Sequence, residues 1–206
     1  MTPLETLPDF VPDEEFEIIG EVVGWSPDIL KGIGRKETMF GALDPRDIRF
    51  ESGQWRKYRF ASREARKFDR HKNRSARRSD WREARWEAFS QMDRVAQKDA
   101  FLNPRAGDAA ILSHSFGWGQ IMGFNHKVAG FDSAREFLRA MGTLEGQRQA
   151  IVNFIVDSRP ILIAGQREDF DALGYHWNGP AYKRNKWAVD VAGFVAEERY
   201  RSTTFV

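Results

Sequence analysis

Two carboxylates and two amide-rich segments of this sequence have the residue types needed for acid chemistry on a sugar. Glu37 and Glu51 could supply the acid chemistry that breaks a glycosidic bond, in which one carboxyl protonates the leaving oxygen and a second assists on the other face. Residues 113–125 and 177–182 combine glycine, aromatic and uncharged amide residues. Glycine lets a backbone approach a ligand closely, and Gln and Asn offer donors and acceptors without charge, which suits hydroxyl and acetamido groups.

Eight residues of these two segments are candidate substrate ligands. The amides of Gln120 and Asn125 could bind sugar hydroxyl or acetamido groups, and the rings of Trp118, Trp177 and Tyr182 suit the C–H face of a sugar. Each role has a structural alternative, because a tryptophan is more often packed in the core and an amide can bond to local backbone. The full set is Ser115, Trp118, Gln120, Met122, Asn125, Trp177, Asn178 and Tyr182.

A helix must carry Glu37. Residues 26–28, with the letters SPD, predict a helix start with serine as N-cap and proline at the first helical position, and this helix runs to about Glu37 or Met39. Glycine weakens a helix interior by roughly 1 kcal/mol relative to alanine. Gly32 and Gly34 therefore predict the close approach of another helix.

The remaining pattern is also mainly helical. Apolar periodicity and capping residues predict further helices over about 80–99, 145–158 and 187–200, one after the cap at 132–133, and one or two short helices over 160–174. Residues 48–51 are predicted to be extended, and a helical turn is predicted near the middle of 113–125. The predicted fold class is mainly α, with a small β element near residues 40–60.

The chain is predicted to form an arm and one domain. Residues 1–13 contain three prolines and no sustained apolar period, which predicts an extended arm, with Phe10 and Val11 docking on the body. Residues 14–206 are long enough for one core and are predicted to form a single domain, with a basic insertion over about 56–86.

Positive charge is concentrated in residues 56–85. This basic segment holds thirteen Lys or Arg residues and four Asp or Glu residues, a net charge of +9 in a chain whose total is +2. Such a surface attracts nucleic acid, lipopolysaccharide, teichoic acid or anionic lipid alike, so charge does not choose among them. A solvated helical face rich in arginine is the structural alternative.

Composition excludes several classes of protein. The chain has no cysteine, so disulfides and thiolate chemistry are excluded, and its four histidines lack the i, i+4 spacing of a helical metal site. No apolar run approaches the roughly 20 residues of a membrane span. The N-terminus lacks the basic start and apolar run of a secretory signal, so we expect synthesis in the cytoplasm without a signal peptide.

Two motifs carry a resemblance to a known family. They are SFGWGQIMGFN at residues 115–125 and WNGPAY at residues 177–182. They resemble the motifs S-W-G-x-G-Q-I-M-G-x-N and Y-N-G-P-x-Y of the N-acetylmuramidase domain of phage endolysins and bacterial peptidoglycan hydrolases, a branch of the lysozyme-like superfamily. Phe116 and Trp177 replace the usual Trp and Tyr, and the resemblance extends over residues 25 to 200.

The family's two glutamates map by position onto Glu37, in KETM, and Glu51, in RFES. Thr38 replaces the serine of the family's first motif, and the histidine expected after the second glutamate is absent. The letters FESG at residues 50–53 also spell the catalytic motif of related transglycosylases. Placement favours Glu37 as general acid, because a carboxyl at the end of a buried helix is desolvated and its pKa rises. An end-of-strand Glu51 facing the cleft suits the ionised partner.

The resemblance implies a muramidase that cuts the β-1,4 bond between N-acetylmuramic acid and N-acetylglucosamine without a cofactor or metal. A lytic transglycosylase on the same scaffold and a catalytically inactive wall- or polyanion-binding protein are the alternatives. The implied partner is the peptidoglycan glycan strand, with anionic envelope polymers as a further partner of residues 56–85. No nucleic acid partner is expected. The protein is expected to be a monomer. We expect action at the bacterial cell wall or periplasm after holin-type release, lysis or dedicated secretion.

Overall fold

A computed structural model describes residues 7–38, 41–70 and 81–204, except the side chain of Trp81. These residues form a mainly helical fold with one small sheet, as predicted. The helices are α1 (Asp13–Val23), α2 (Pro27–Glu37), α3 (Ser52–Tyr58), α4 (Arg63–Arg66), α5 (Trp81–Asp99), α6 (Ala109–Leu112), α7 (Ala134–Ala140), α8 (Leu144–Asp157), α9 (Arg159–Gln166), α10 (Phe170–Asn178) and α11 (Trp187–Thr204). The strands are β1 (Ile48–Phe50), β2 (His114–Phe116) and β3 (Ile121–Met122), and short 3₁₀ turns cover Pro104–Ala106 and Gly123–Asn125.

Helix α2 begins as its sequence predicts, but only one of its two interior glycines meets another helix, because Gly34 faces the side chains of Leu43 and Trp118. The Ser26 hydroxyl accepts a hydrogen bond from the Asp28 N–H, and Pro27 occupies the first helical position. Gly32 faces α11, where an added Cβ would stand 2.8 Å from the Val195 side chain and 3.2 Å from the Val191 carbonyl oxygen. The absence of a side chain at Gly32 therefore lets α2 and α11 approach closely.

Strand β1 lies in the β element predicted near residues 40–60, and the sheet extends beyond that region. Only β1 comes from that region, and it pairs antiparallel with β2, which pairs antiparallel with β3. The turn between β2 and β3 needs positive φ at Gly117 (73°) and Gln120 (49°). Residues 113–125 thus form a hairpin, and the helical turn predicted at their middle lies at their end. Strands of two or three residues are too short to show a period of two in the sequence.

The N-terminal residues dock through the buried side chains of Leu7 and Val11 and through an ion pair of 2.6 Å between Asp9 and Arg46. Val11 is buried and its N–H donates to the Leu43 carbonyl at 3.1 Å, whereas Phe10 remains 64% exposed. Helix α1 then begins at Asp13, which the sequence pattern missed. Its buried face is formed chiefly by Phe16 and Ile19.

The basic segment is distributed over several elements. Helices α3 and α4 carry part of it on the surface, with Arg59 and Asp69 joined by a bond of 2.6 Å. Arg85, by contrast, is buried and pairs with the fully buried Asp47 at 2.6 Å. Arg74, Arg77 and Arg78 lie outside the described residues. In the part of the chain that the structure describes, no helix is long and apolar enough to cross a bilayer.

Candidate active site

The ends of α2 and β1, the β2–β3 hairpin and helices α8 to α10 surround one large cleft. Its volume is about 1000 Å³. Both candidate glutamates and most of the predicted binding residues reach it. The walls contain Glu37, Arg49, Glu51, Gly53, Gln54, Ser115, Gln120, Ile121, Met122, Phe124, Asn125, Val128, Phe154, Asp157, Ser158, Pro160, Ile161, His176, Trp177, Asn178, Gly179, Ala181 and Asn185.

Glu37 is the last residue of α2 and only 5% exposed. The indole N–H of Trp187, the first residue of α11, donates to its Oε1 at 2.6 Å. On the other side, a guanidinium nitrogen of Arg49 lies 3.8 Å from its Oε2. A second nitrogen of Arg49 donates to the Glu37 backbone carbonyl at 2.6 Å. The carboxyl is therefore held from two sides at the wall of the cleft.

Burial raises the pKa of Glu37 above its usual value of 4.5. The positive charge of Arg49 and the hydrogen bond from Trp187 lower that pKa, but burial is the larger effect. Indole can only donate, so Oε1 must act as an acceptor toward Trp187. When Glu37 is protonated, the proton therefore belongs on Oε2.

Glu51 lies at the junction of β1 and α3, on the same cleft. Its N–H donates to the Ser113 carbonyl at 2.8 Å, which ties this junction to the start of β2. The side chain is exposed, unlike that of Glu37. Desolvation against the cleft wall raises its pKa and Arg49 lowers it. Because both carboxyl pKa values move upward, burial rather than pKa direction distinguishes the two glutamates.

Arg49 is a cleft residue that the sequence interpretation missed. It is the central residue of β1, between the buried Ile48 and Phe50. Since side chains alternate across a strand, Arg49 faces the cleft while its neighbours face the core. The sequence feature that could have identified Arg49 is a single arginine between two apolar residues of a predicted strand.

The amide of Gln120 holds the hairpin together. Its nitrogen donates to the Gly117 carbonyl at 2.8 Å and to the Asp47 carbonyl at 3.2 Å. Its oxygen accepts a bond of 2.7 Å from the Ser115 hydroxyl. Both Gln120 and Ser115 reach the cleft wall, and these bonds also engage their polar atoms within the hairpin, as the structural alternative for Gln120 predicted.

Six other ligands were predicted, of which four lie in the cleft wall and two lie outside it. Met122, Asn125, Trp177 and Asn178 lie in the cleft wall, and the Trp177 ring meets Phe154 edge-on at 5.4 Å.

Two of the predicted ligands, Trp118 and Tyr182, lie outside the cleft wall, so the aromatic-platform interpretation needs correction for them. Trp118 is 1% exposed and packs edge-on against Phe16 at 4.9 Å, beside Gly34. Tyr182 is 5% exposed and packs against Tyr175. Large rings fill the space that neighbouring glycines leave, so motif membership alone does not place a ring in the cleft.

The N-acetylmuramidase family model matches residues 26–199, which span both motifs and both glutamates. The chain belongs to the N-acetylmuramidase family. This membership places the muramidase among the peptidoglycan hydrolases at family level.

The crystal structure of the Burkholderia AP3 phage endolysin is similar to this muramidase with a TM-score of 0.65 at 20% sequence identity. The match covers 95% of this chain and 73% of that chain. At such identity the likeness concerns the fold alone. The comparison with curated protein sequences found no match.

Gln54 contributes one further buried polar atom to the muramidase cleft. The Oε1 atom of Gln54, on α3, is buried without a hydrogen bond to any described residue. It is an acceptor in the cleft wall that the sequence interpretation did not select. Within the described ranges, no three His, Asp or Glu residues come together as a metal site would require. His114 is buried, and its Nδ1 lies 2.8 Å from the Ala110 carbonyl oxygen.

Proposed function

We propose that this muramidase hydrolyses the β-1,4 bond between N-acetylmuramic acid and N-acetylglucosamine, with Glu37 as general acid. The observation that carries this proposal is the buried Glu37 carboxyl on the cleft, held at Oε1 by Trp187 and raised in pKa by burial. A general acid must be protonated before the bond breaks, and a raised pKa favours that state.

In the proposed reaction, the Oε2 proton of Glu37 passes to the leaving glycosidic oxygen. Glu51, which lines the same cleft and is more exposed, either orients the attacking water or stabilises the positive charge that develops on the sugar ring. The glycosidic bond breaks, water adds its hydroxyl to the anomeric carbon, and the second proton of water returns to a carboxylate. Arg49 lies beside Glu37 and lowers the pKa of both carboxyl groups, so its charge stabilises the Glu37 carboxylate that forms when the proton is donated.

Mass spectrometry of products from purified peptidoglycan tests this proposal. The enzymes compared are the wild type, Glu37→Gln, Glu51→Gln and, as a matched control, Glu21→Gln on the exposed face of α1. We expect reducing muropeptides from the wild type and the control. The rate of product formation by Glu37→Gln should be lower by at least about a thousandfold. Full activity of Glu37→Gln would contradict the assignment of the general acid.

One observation favours a lytic transglycosylase as the second candidate. Glu37 is buried and held by two residues, whereas Glu51 is exposed, so one acid–base glutamate dominates the cleft. In that reaction the muramic 6-hydroxyl replaces water and closes a 1,6-anhydro ring. Its products are lighter by one water, so the same mass spectra separate the two reactions. Peptidoglycan binding without any product would instead indicate the inactive binding protein.

The proposed site of action is the peptidoglycan of the bacterial cell wall, with a monomer as the working form. We retain the proposal that residues 56–85 contact anionic envelope polymers. Charge reversal of Arg74, Arg77 and Arg78 should then weaken association with whole walls at low salt by about tenfold, because several phosphate contacts are lost. Unchanged association would contradict it.

A further inference from the structure

The turn after α5 displays two adjacent apolar side chains to solvent. Helix α5 ends at Asp99, and the next turn carries Phe101 and Leu102, which are 93% and 75% exposed. Phe101 has the largest exposure among the large hydrophobic residues of the described chain. Single exposed hydrophobic residues are common, but two adjacent ones at the tip of a turn indicate a contact surface.

The turn that carries this pair is held firmly by the body. The N–H groups of Leu102 and Asn103 donate to the Asp99 carbonyl at 3.0 and 2.9 Å. The Asp99 carboxylate is buried and accepts a bond of 2.7 Å from the Ser62 hydroxyl, at the start of α4. Exposure of Phe101 and Leu102 is therefore a property of an ordered turn and not of a frayed helix end.

Exposed cationic side chains lie on the elements that carry and adjoin this apolar pair. Arg94 and Lys98 precede it on α5, and Arg105 follows it, all exposed. Helix α4 contacts α5, near its end through the Ser62–Asp99 bond, and this helix and the residue after it add three more exposed cations, which are Arg63, Arg66 and Lys67. Among the described residues, only Lys98 of these six forms an ion pair, at 3.0 Å to Glu64. We call Phe101, Leu102 and these six cations the basic tip.

The chemistry of the basic tip identifies its partner. We propose that the basic tip docks the muramidase on an anionic phospholipid bilayer, with Phe101 and Leu102 among the acyl chains and the cations at the phosphates. A nucleic acid or teichoic acid would satisfy the cations but leave both apolar side chains in water. A lipid surface buries apolar area and attracts cations together.

The basic tip and the cleft use separate surfaces. No residue of the basic tip belongs to the cleft wall, which is built from α2, β1, α3, the hairpin and α8 to α10. Docking through the tip therefore leaves the cleft open to glycan strands. The proposal does not depend on Glu37 or on the identity of the products.

Co-sedimentation with vesicles tests the docking. Wild-type protein is mixed with vesicles of phosphatidylglycerol and phosphatidylethanolamine, and separately with phosphatidylcholine vesicles. The test variant is Phe101→Ser with Leu102→Ser, and the matched control is Val22→Ser with Tyr200→Ser, which removes an aliphatic and an aromatic side chain exposed elsewhere. We expect binding to the anionic vesicles alone, about tenfold weaker in the test variant and unchanged in the control.

A charge variant, Arg63→Glu with Arg105→Glu, should also bind anionic vesicles about tenfold more weakly. The wild-type protein should dissociate from these vesicles as the salt concentration rises. Hydrolysis of purified peptidoglycan should remain at the wild-type rate in all three variants, which also shows that they are folded. Absence of binding by the wild type, or equal binding by the Phe101 and Leu102 variant, would overturn the proposal. A dimer that the same variant dissociates, without vesicle binding, would assign the tip to a second copy instead.

Discussion

The indole N–H of Trp187 donates a 2.6 Å hydrogen bond to Oε1 of Glu37, across 150 positions of the sequence. Trp187 begins α11 and Glu37 ends α2, so the bond joins the two helices that meet at Gly32. It leaves Oε2 as the oxygen that carries the acid proton. The packing of α2 on α11 therefore determines the orientation of the proposed general acid.

Replacing Trp187 with phenylalanine should change the pH profile of hydrolysis. The lost hydrogen bond lowered the pKa of Glu37, so that pKa should rise. A general acid is active while protonated, so the limb of kcat/KM that falls with rising pH should move to higher pH. We also expect kcat to fall about tenfold, since the carboxyl loses one orienting bond.

A matched control for this prediction is Trp25→Phe. The Trp25 indole donates to the Leu162 carbonyl at 3.0 Å, and neither residue lines the cleft or contacts Glu37. This variant should lose stability without any movement of the pH profile. Equal movement in both variants would show that the effect comes from general loosening of the fold.

Removing the charge of Arg49 should raise the pKa of both glutamates, because its guanidinium lowers each. In Arg49→Met, the falling limb of the kcat/KM profile should therefore move to higher pH. Arg49→Lys keeps the charge and should keep the profile near that of the wild type, with lower kcat from the lost bond to the Glu37 carbonyl. Arg35→Met removes a surface cation of α2 that pairs with Glu198, and its profile should not move.

Glu37→Gln should stabilise the fold at neutral and alkaline pH while abolishing hydrolysis. The folded-state pKa of Glu37 lies above its unfolded value of 4.5, so its favourable contribution is complete below that pH and is lost as pH rises through the folded-state pKa. Glutamine is uncharged and keeps an acceptor for Trp187. Urea unfolding should show a gain on the order of 1 kcal/mol at pH 8 and none at pH 4.

The exposed Glu21→Gln serves as the control for that measurement, with the same loss of one carboxylate but no burial. Its unfolding free energy should match the wild type at both values of pH. A stability of Glu37→Gln below that of the wild type at pH 8 would show that ionised Glu37 is well solvated or well paired, against the desolvation that underlies its role as acid.

Gly32→Ala should destabilise the packing of α2 on α11. The new Cβ would lie 2.8 Å from the Val195 side chain and 3.2 Å from a backbone oxygen, so the helices must separate. We expect a loss of about 1–3 kcal/mol by urea unfolding, larger than the helix-propensity gain of about 1 kcal/mol. Gly193→Ala, on α11 with open space around it, should show only the gain. Equal stabilisation by both would contradict the close approach.

Much of the helical framework was predictable because its signals are local. The cap of α2 and the apolar spacing of α5 and α8 depend on residues within a few positions of one another. The arm with a single domain over residues 14–206 and the envelope contacts of residues 56–85 stay predictions. Helix α1 was missed because prolines precede it, and strands β2 and β3 were missed because they are very short.

The sequence by itself determined the family, through the motifs at 115–125 and 177–182. It also identified the two candidate glutamates, the helix that carries Glu37 and the extended segment that ends at Glu51. Only the tertiary structure decided which motif residues reach the cleft. Trp177 lies in the cleft wall, whereas Trp118 is buried in the core. The tertiary structure alone brought Trp187 and Arg49 to Glu37. The physical reason is that a residue's type and spacing encode local conformation, whereas burial, pKa and hydrogen-bond partners depend on segments distant along the chain.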